Sequence, residues 1–192
     1  MRVIAGEYRG RNLKSPPSLE VRPTSDRLRE TLFNVLAPRI VDARCLDLCA
    51  GTGAIGIEAL SRGAGFVTFV ERARKMCALV EENLDLCRVA EERIEVVLSD
   101  AADFLRRIHR KSVAGEGGMW DVVFYDPPYA SDYLPVLKEF YVAEDTPSLL
   151  KPDGVLIVEH HHKKPLPETL GGVRRWRVIK QGDAALSFYQ AA

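Results

Sequence analysis

Short apolar runs alternate with segments of helical periodicity from residue 43 onward, and no other feature of the sequence constrains the fold as strongly. The five runs that predict strands are residues 45–48, 66–70, 94–98, 121–125 and 155–159. Buried strands separated by helices are typical of a parallel sheet that is covered on both faces. Two later runs, joined by Gly182-Asp183, predict a closing hairpin. The sequence therefore predicts an α/β fold with a doubly wound, mostly parallel sheet and one antiparallel strand at its end.

The first 40 residues do not follow this alternation. Two short runs flank a glycine-bearing loop at residues 6–10 and predict a small β-hairpin. A helix follows, which Thr24 or Ser25 can cap and which Pro38 is expected to end. The segment is basic, although the whole chain has a formal net charge of +0. We therefore predict two domains, an N-terminal basic β-hairpin and helix over residues 1–40 and a larger domain over residues 41–192.

The composition is that of an ordinary globular protein, with 192 residues of which 46% are hydrophobic. Its 4 cysteines form no Cys-x-x-Cys pair, so we expect reduced thiols and a cytoplasmic location. The N-terminus has no pattern of a signal peptide, and no apolar run approaches the ~20 residues of a membrane span. These patterns argue against secreted and membrane-spanning classes of protein.

A glycine-rich turn after the first predicted strand indicates a cofactor site. Residues 51–56 have the pattern Gly-x-Gly-x-x-Gly, which alone also fits a dinucleotide-binding fold. Asp47 lies four residues before the first glycine, where its charge would repel a pyrophosphate. The same carboxylate could accept a hydrogen bond, directly or through water, from the ammonium group of a cationic amino-acid cofactor. This position favours S-adenosylmethionine over NAD, which remains the alternative.

Two further acidic residues follow the next two predicted strands, and they support the same cofactor. Glu71 can accept hydrogen bonds from both ribose hydroxyls of a nucleoside, and Asp100 lies where an adenine amine would bind. Either carboxylate could instead cap a helix. The predicted residues that bind S-adenosylmethionine are Asp47, Gly51, Gly53, Glu71 and Asp100.

The fourth predicted strand ends in Asp126-Pro127-Pro128-Tyr129, which we call the Asp-Pro-Pro-Tyr corner. Two prolines stiffen the backbone at an edge where α/β sheets bind their ligands. The Asp126 carboxylate and the Pro127 carbonyl can accept both hydrogens of an amine that is conjugated to a planar system. Tyr129 can stack on that planar group. We predict these four residues as the catalytic group of an N-methyltransferase.

Residues 160–162 are three consecutive histidines, a pattern that can suggest a metal site. Adjacent side chains on a strand alternate between the two faces of a sheet, so we expect no convergence on one ion. The sequence analysis therefore predicts no metal.

Four blocks of the chain resemble one known family. They are RVIAGEYRGRNL at residues 2–13, RPTSDRLRETLFN at 22–34, LDLCAGTG at 46–53 and DPPY at 126–129. They resemble, in this order, the small-subunit ribosomal RNA guanine-N2 methyltransferase family (RsmD). The resemblance implies a Rossmann-like, seven-stranded sheet of the S-adenosylmethionine-dependent methyltransferases. It also implies N2-methylation of a guanine in 16S rRNA, in the 30S subunit or an assembly intermediate.

This resemblance gives the basic N-terminal residues a predicted role, because they could contact RNA phosphates. The predicted RNA-binding residues are Arg9, Arg11, Lys14, Arg22 and Arg27. A monomer without metal or membrane contact is expected.

Two other functions stay open at this point. The corner would also suit adenine N6 in RNA or DNA, or a protein glutamine amide, because these are conjugated amines too. A non-catalytic assembly factor that binds S-adenosylmethionine is a further alternative. Since the corner cannot choose among amines, we expect the choice of guanine to come from RNA presentation and from the N-terminal segment.

Overall fold

The structure is a computed structural model that describes residues 1–16, 25–113, 118–140 and 148–191. The strands are β1 (Arg44–Leu48), β2 (Phe66–Glu71), β3 (Ile94–Leu98), β4 (Trp120–Tyr125), β5 (Leu150–His161), β6 (Thr169–Leu170), β7 (Val173–Gln181) and β8 (Ala184–Ala191). The helices are α1 (Asp26–Ile40), α2 (Ala54–Ser61), α3 (Arg74–Cys87), α4 (Ala101–Val113) and α5 (Leu134–Leu137). Short 3₁₀ turns cover Glu91–Arg93 and Lys138–Phe140. None of the helices within these ranges is long and apolar enough to cross a membrane.

The strands form a single sheet in the order β3-β2-β1-β4-β5-β8-β7-β6. Neighbours from β3 to β5 pair in parallel, and β8 pairs antiparallel with β5. The predicted α/β class is therefore confirmed. The predicted number of seven strands is wrong, because the described residues contain a short eighth strand, β6. This strand also runs antiparallel to its neighbour β7, so the sheet has more than the one antiparallel strand that was predicted.

The chain reverses its direction of winding between β1 and β4, which are adjacent in the sheet although two other strands separate them in sequence. Such a switch point leaves a crevice at the carboxyl ends of the strands. Apolar side chains pack against both faces of the sheet and form two separate clusters. The sheet is therefore covered on both sides and open for a ligand at this edge.

Helix α1 begins as predicted, because the Ser25 hydroxyl accepts a hydrogen bond from the Leu28 N–H at 3.2 Å. Its predicted end at Pro38 is wrong, since the helix continues to Ile40. Leu36 and Ile40, on either side of the proline, are both buried in the core. The burial of these side chains offsets the backbone hydrogen bond that the proline cannot donate.

The N-terminal arm (residues 1–16) folds back on itself, with one isolated antiparallel bridge between Arg2 and Asn12 instead of a full hairpin. Helix α2 holds the arm, because the Glu58 carboxylate accepts hydrogen bonds from the Ile4 and Ala5 N–H groups at 2.8 and 3.1 Å. Three side chains of the arm belong to the same apolar cluster as α1 and α2, namely Val3, Tyr8 and Leu13. The arm is thus part of the packed structure, and the division at residue 40 stays a prediction.

Candidate active site

A cleft of about 710 Å³ opens at the carboxyl ends of β1, β2 and β4. Its wall contains the glycine loop (residues 49–53), the ends of β2 and β3, the Asp-Pro-Pro-Tyr corner and parts of β5 and the closing hairpin. This is the switch point at which ligands bind to open α/β sheets. The fold therefore gathers most of the predicted cofactor residues and the predicted catalytic residues around one cavity.

The glycine loop turns sharply because three of its residues have positive φ angles. These angles are 64° at Cys49, 57° at Gly51 and 75° at Gly53, values that glycine adopts without strain. The third glycine of the motif serves packing instead. A Cβ atom on Gly56 would lie only 2.2 Å from the Phe69 ring, so this glycine lets α2 approach β2 closely.

Asp47 does not lie on the cleft wall where the sequence analysis expected it. Strand β1 continues to Leu48, and the Asp47 side chain lies beneath the start of α2 with 2% exposure. Its carboxylate accepts a hydrogen bond from the Gly56 N–H at 2.9 Å. Burial raises the pKa of this carboxyl to about 7. Asp47 thus holds the start of α2 against β1, and its contact with a cofactor, direct or through water, stays a prediction.

Gly53 also lies outside the residues that line the cleft, although it shapes the loop. Glu71 does reach the wall, and it connects the loop to the end of β2. Its two oxygens accept hydrogen bonds from the Gly51 N–H at 3.1 Å and the Ala73 N–H at 2.9 Å. These bonds fix the orientation of the carboxylate, and each oxygen has a further lone pair for a ligand hydroxyl.

Asp100 caps a helix and also lies on the cleft wall, while its predicted contact with adenine stays a prediction. Its Oδ1 atom accepts the Ala102 N–H at 2.9 Å and therefore caps α4, while the residue also lines the cleft. Apolar side chains of Val70, Met76 and Ala101 line the same cavity. A flat, partly apolar group with a polar rim, such as adenine, fits these surroundings.

Negative charge is concentrated around the Cys49 thiol in the glycine loop. Its pKa is raised to about 12, first by burial and then by the carboxylates of Glu71, Asp126, Asp47 and Asp100. Such a field attracts a cation and repels a pyrophosphate. The residues present therefore fit a cofactor that carries a sulfonium and an ammonium group better than they fit NAD.

The Asp-Pro-Pro-Tyr corner directly follows β4, as the sequence predicted. The Asp126 N–H donates to the Leu48 carbonyl at 3.4 Å, which ties the corner to the end of β1. The Pro128 carbonyl accepts the Ser131 N–H at 2.8 Å and closes a turn. All four corner residues line the cleft together with Glu71 and Asp100.

Residues of β5 and of the segment after it contact the hydroxyl, the ring and the carbonyl of Tyr129. The Tyr129 hydroxyl donates to Glu159 Oε1 at 3.2 Å, and the His161 ring meets the Tyr129 ring edge-on at 5.5 Å between centroids. Lys164 Nζ donates to the Tyr129 carbonyl at 2.9 Å. The sequence analysis did not single out Glu159 or Lys164. The rule that found Glu71, an acidic residue after an apolar strand core, would also have found Glu159.

The predicted RNA-binding residues have unequal surroundings. Arg9 and Arg27 are exposed, whereas Arg11 donates to the Leu86 carbonyl at 2.7 Å and Lys14 Nζ lies 2.9 Å from Glu82 Oε2. The side chains of Arg11 and Lys14 thus attach the N-terminal arm to α3. The remaining candidate, Arg22, lies outside the described residues. Met1, Ser25 and Leu28 line the cleft, whereas Arg9, Arg11, Lys14 and Arg27 are not among its lining residues.

The three histidines do not simply alternate as the sequence analysis assumed. His160 points to the core and lies 2.9 Å from Ser187 Oγ, but β5 ends at His161, and the rings of His161 and His162 stack at 4.9 Å. Candidate ligand atoms of His161, His162 and Asp183 lie within 4.8 Å of one another. The geometric reason given against convergence is therefore wrong for these two histidines, and the absence of a metal stays a prediction.

Comparison with known proteins places the chain in a family. The sequence model of the family described as Conserved hypothetical protein 95 matches residues 1–190. Ribosomal RNA small subunit methyltransferase D of Haemophilus influenzae is 36% identical and covers 99% of this chain and 92% of its own. The protein of the same name from Escherichia coli K12 is 38% identical, over 99% of this chain and 89% of its own. The chain belongs to the ribosomal RNA small subunit methyltransferase D family.

Solved structures agree with membership in the methyltransferase D family. A chain from Escherichia coli with 36% sequence identity has a TM-score of 0.82 and covers 100% of this chain and 97% of its own. A more distant methyltransferase complexed with SAH, at 13% identity and a TM-score of 0.63, shares the fold alone. The resemblance found in the sequence is confirmed, and the chain has the fold and the family of an enzyme that transfers methyl groups.

Proposed function

We propose that this protein transfers a methyl group from S-adenosylmethionine to N2 of a guanine in 16S rRNA of the small ribosomal subunit. The observation that carries the proposal is the single cleft shared by the Asp-Pro-Pro-Tyr corner, Glu71, Asp100 and the glycine loop. Its relatives named ribosomal RNA small subunit methyltransferase D support the substrate class. A cytoplasmic location is part of the proposal, and the free cysteines fit a reducing compartment.

The residues that would hold the cofactor lie on one side of this cleft. Glu71 would accept hydrogen bonds from the ribose hydroxyls, and Asp100 would lie at the adenine. The backbone of the glycine loop would border the amino-acid portion. When bound, S-adenosylmethionine supplies a methyl group that is activated by its positively charged sulfur. The protein then has to supply orientation and electrostatics, which preorganised groups provide effectively.

The corner would prepare the guanine amine for reaction. An exocyclic amine donates its lone pair into the ring and is therefore a poor nucleophile. The Asp126 carboxylate and the Pro127 carbonyl would accept its two hydrogens and draw the lone pair out of conjugation. The Tyr129 ring would stack on the base, a contact worth about 1–3 kcal/mol in nucleic-acid binders. The methyl group would pass from the sulfur to N2, which breaks the carbon–sulfur bond, and the proton that N2 loses would go to Asp126 or to water.

The rigidity of the corner suits this role. Bonds from Asp126 N–H to Leu48 and from Lys164 to the Tyr129 carbonyl hold both of its ends. The target guanine must be unpaired or flipped out of a helix to reach it. Exposed Arg9 and Arg27 would contact phosphates of the RNA and position it without reading its sequence.

The experiment compares three substrates with isotopically labelled S-adenosylmethionine. Small subunits that lack the modification, free 16S rRNA and DNA are incubated with the enzyme, and the modified nucleoside is then identified and mapped. We expect N2-methylguanosine in rRNA and no product in DNA. Methyladenine as the sole product would refute the proposal and support the adenine alternative. A monomeric state, an assembly intermediate as the preferred substrate and the absence of a metal stay predictions.

A further inference from the structure

Glu159 is a largely buried carboxylate beside the corner that the proposed reaction does not use. It is 9% exposed, and it lines the cleft. Strands β4 and β5 pair in parallel with Tyr125 opposite Val158, so the residues that follow, Asp126 and Glu159, come from adjacent strand positions. Both carboxylates also act on one phenol, because the pKa of Tyr133 is raised to about 12 by burial and then by the charges of Asp126 and Glu159.

The position of this carboxylate relative to the target amine matters because of the ring atom next to that amine. In guanine, N2 is adjacent to N1–H, which is a hydrogen-bond donor. In adenine, the ring nitrogen next to N6 is an unprotonated N1, which is an acceptor. An ionised carboxylate can only accept hydrogen bonds. Glu159 would therefore attract the first base and repel the second.

We propose that Glu159 accepts a hydrogen bond from guanine N1–H and thereby selects guanine over other bases that carry an exocyclic amine. This inference rests on the proposed function, because it assumes that N2 lies between Asp126 and Pro127. The Tyr129 hydroxyl supports the arrangement, since its bond to Oε1 of Glu159 fixes the carboxylate at the edge of the stacking ring. Stacking and edge recognition are thus coupled through one hydrogen bond of 3.2 Å.

Selection of this kind can be strong. When the substrate presents an acceptor in place of the N1–H donor, the hydrogen bond is lost and two acceptors face each other in a largely buried site. Sites that are built to bind a donor reject analogues that lack it by factors as large as roughly 10,000. The corner alone offers no comparable discrimination, because its acceptors suit any conjugated amine.

The test uses an RNA fragment that contains the mapped target position, made with either guanine or 2-aminopurine there. 2-Aminopurine keeps the amine on C2 but has no hydrogen on N1. The wild-type enzyme should use guanine with a much higher kcat/KM. In Glu159→Gln, the carboxamide can accept from N1–H or donate to a bare N1. The ratio of the two kcat/KM values should therefore fall by at least roughly 10-fold, as for loss of one charged hydrogen bond.

Two control variants separate base selection from support of the tyrosine. Tyr129→Phe keeps the ring and the Glu159 carboxylate but removes the hydroxyl that fixes this carboxylate, so the ratio should fall less than in Glu159→Gln. Glu92→Gln changes an exposed carboxylate before β3 and should leave both rates unchanged. Cofactor affinity, measured for every variant, shows that the glycine-loop side of the cleft is intact.

The possible outcomes are distinct. If Glu159→Gln lowers both rates equally and keeps the wild-type ratio, Glu159 only supports Tyr129 and the inference is wrong. If the wild-type enzyme methylates no guanine in any RNA, the proposed function itself fails. Methylation of guanine by the wild type together with a collapsed ratio in the variant supports both.

Discussion

The free energy of unfolding of Asp47→Asn, relative to that of the wild type, should be higher at pH 8 than at pH 5. Asp47 is 2% exposed, and burial raises the pKa of its carboxyl from 3.8 to about 7, against the opposing effect of the Gly56 N–H bond. As pH rises, the unfolded chain releases this proton first, whereas the folded protein keeps it until about pH 7. The contribution of Asp47 to the free energy of unfolding therefore decreases between pH 3.8 and about pH 7, and it is constant at higher pH.

The size of this effect follows from the shift. About 3 pKa units correspond to roughly 4 kcal/mol, of which roughly 3 kcal/mol is lost between pH 5 and pH 7. An asparagine at this position does not titrate, and its amide oxygen can still accept the Gly56 N–H. The stability of Asp47→Asn minus that of the wild type should therefore rise by roughly 3 kcal/mol from pH 5 to pH 8.

Urea unfolding of both proteins at pH 5 and pH 8 measures this difference directly. Other groups that titrate in this range cancel, because they are present in both proteins. Asp85→Asn is the matched control, since it removes an exposed carboxylate from α3. If the free energy of unfolding of Asp47→Asn differs from that of the wild type by the same amount at both pH values, the pKa of the Asp47 carboxyl is not raised by burial and the argument is refuted.

Three further changes have expected outcomes. Asp126→Ala should fold and bind S-adenosylmethionine normally but slow methyl transfer by roughly 100-fold or more in single-turnover assays, as for loss of one preorganised polar group; wild-type turnover would favour a different catalytic group. Gly56→Ala should lower the free energy of unfolding by roughly 1–3 kcal/mol in urea titrations, because its Cβ would collide with Phe69. Arg9→Glu should weaken RNA binding and reduce the slope of log K against log salt by about 1; an unchanged slope would exclude this phosphate contact.

The sequence was sufficient to predict the α/β class, because alternating apolar runs and helical segments have few other solutions. It was not sufficient for β6, which consists of only Thr169–Leu170 and has no periodicity to detect. The end of α1 was misplaced for a related reason. A local rule places a helix end at Pro38, but the burial of Ile40 is a tertiary effect that only the folded structure reveals.

The candidate site was predicted in part. Glu71, Asp100 and the corner lie around the cleft, because residues at or just after the carboxyl ends of parallel strands meet at one edge of the sheet. Asp47 differs because it precedes the last residue of β1, and its side chain points to the face of the sheet that α2 covers. The position of one residue relative to the end of a strand decides between these outcomes. Sequence patterns locate such ends only to within a few residues.

The same geometry changes where the choice of substrate must originate. The corner would suit any conjugated amine, so the prediction from the sequence attributed the choice of guanine to RNA presentation and to the N-terminal arm. The pairing of β4 with β5 brings a second carboxylate, Glu159, to the position after Val158, beside Asp126. Asp126 would then bind the amine, and Glu159 would accept a hydrogen bond from the neighbouring ring nitrogen of guanine. If both atoms are recognised inside the cleft, the exposed Arg9 and Arg27 would need only to bring the RNA to it, through phosphate contacts that are independent of sequence.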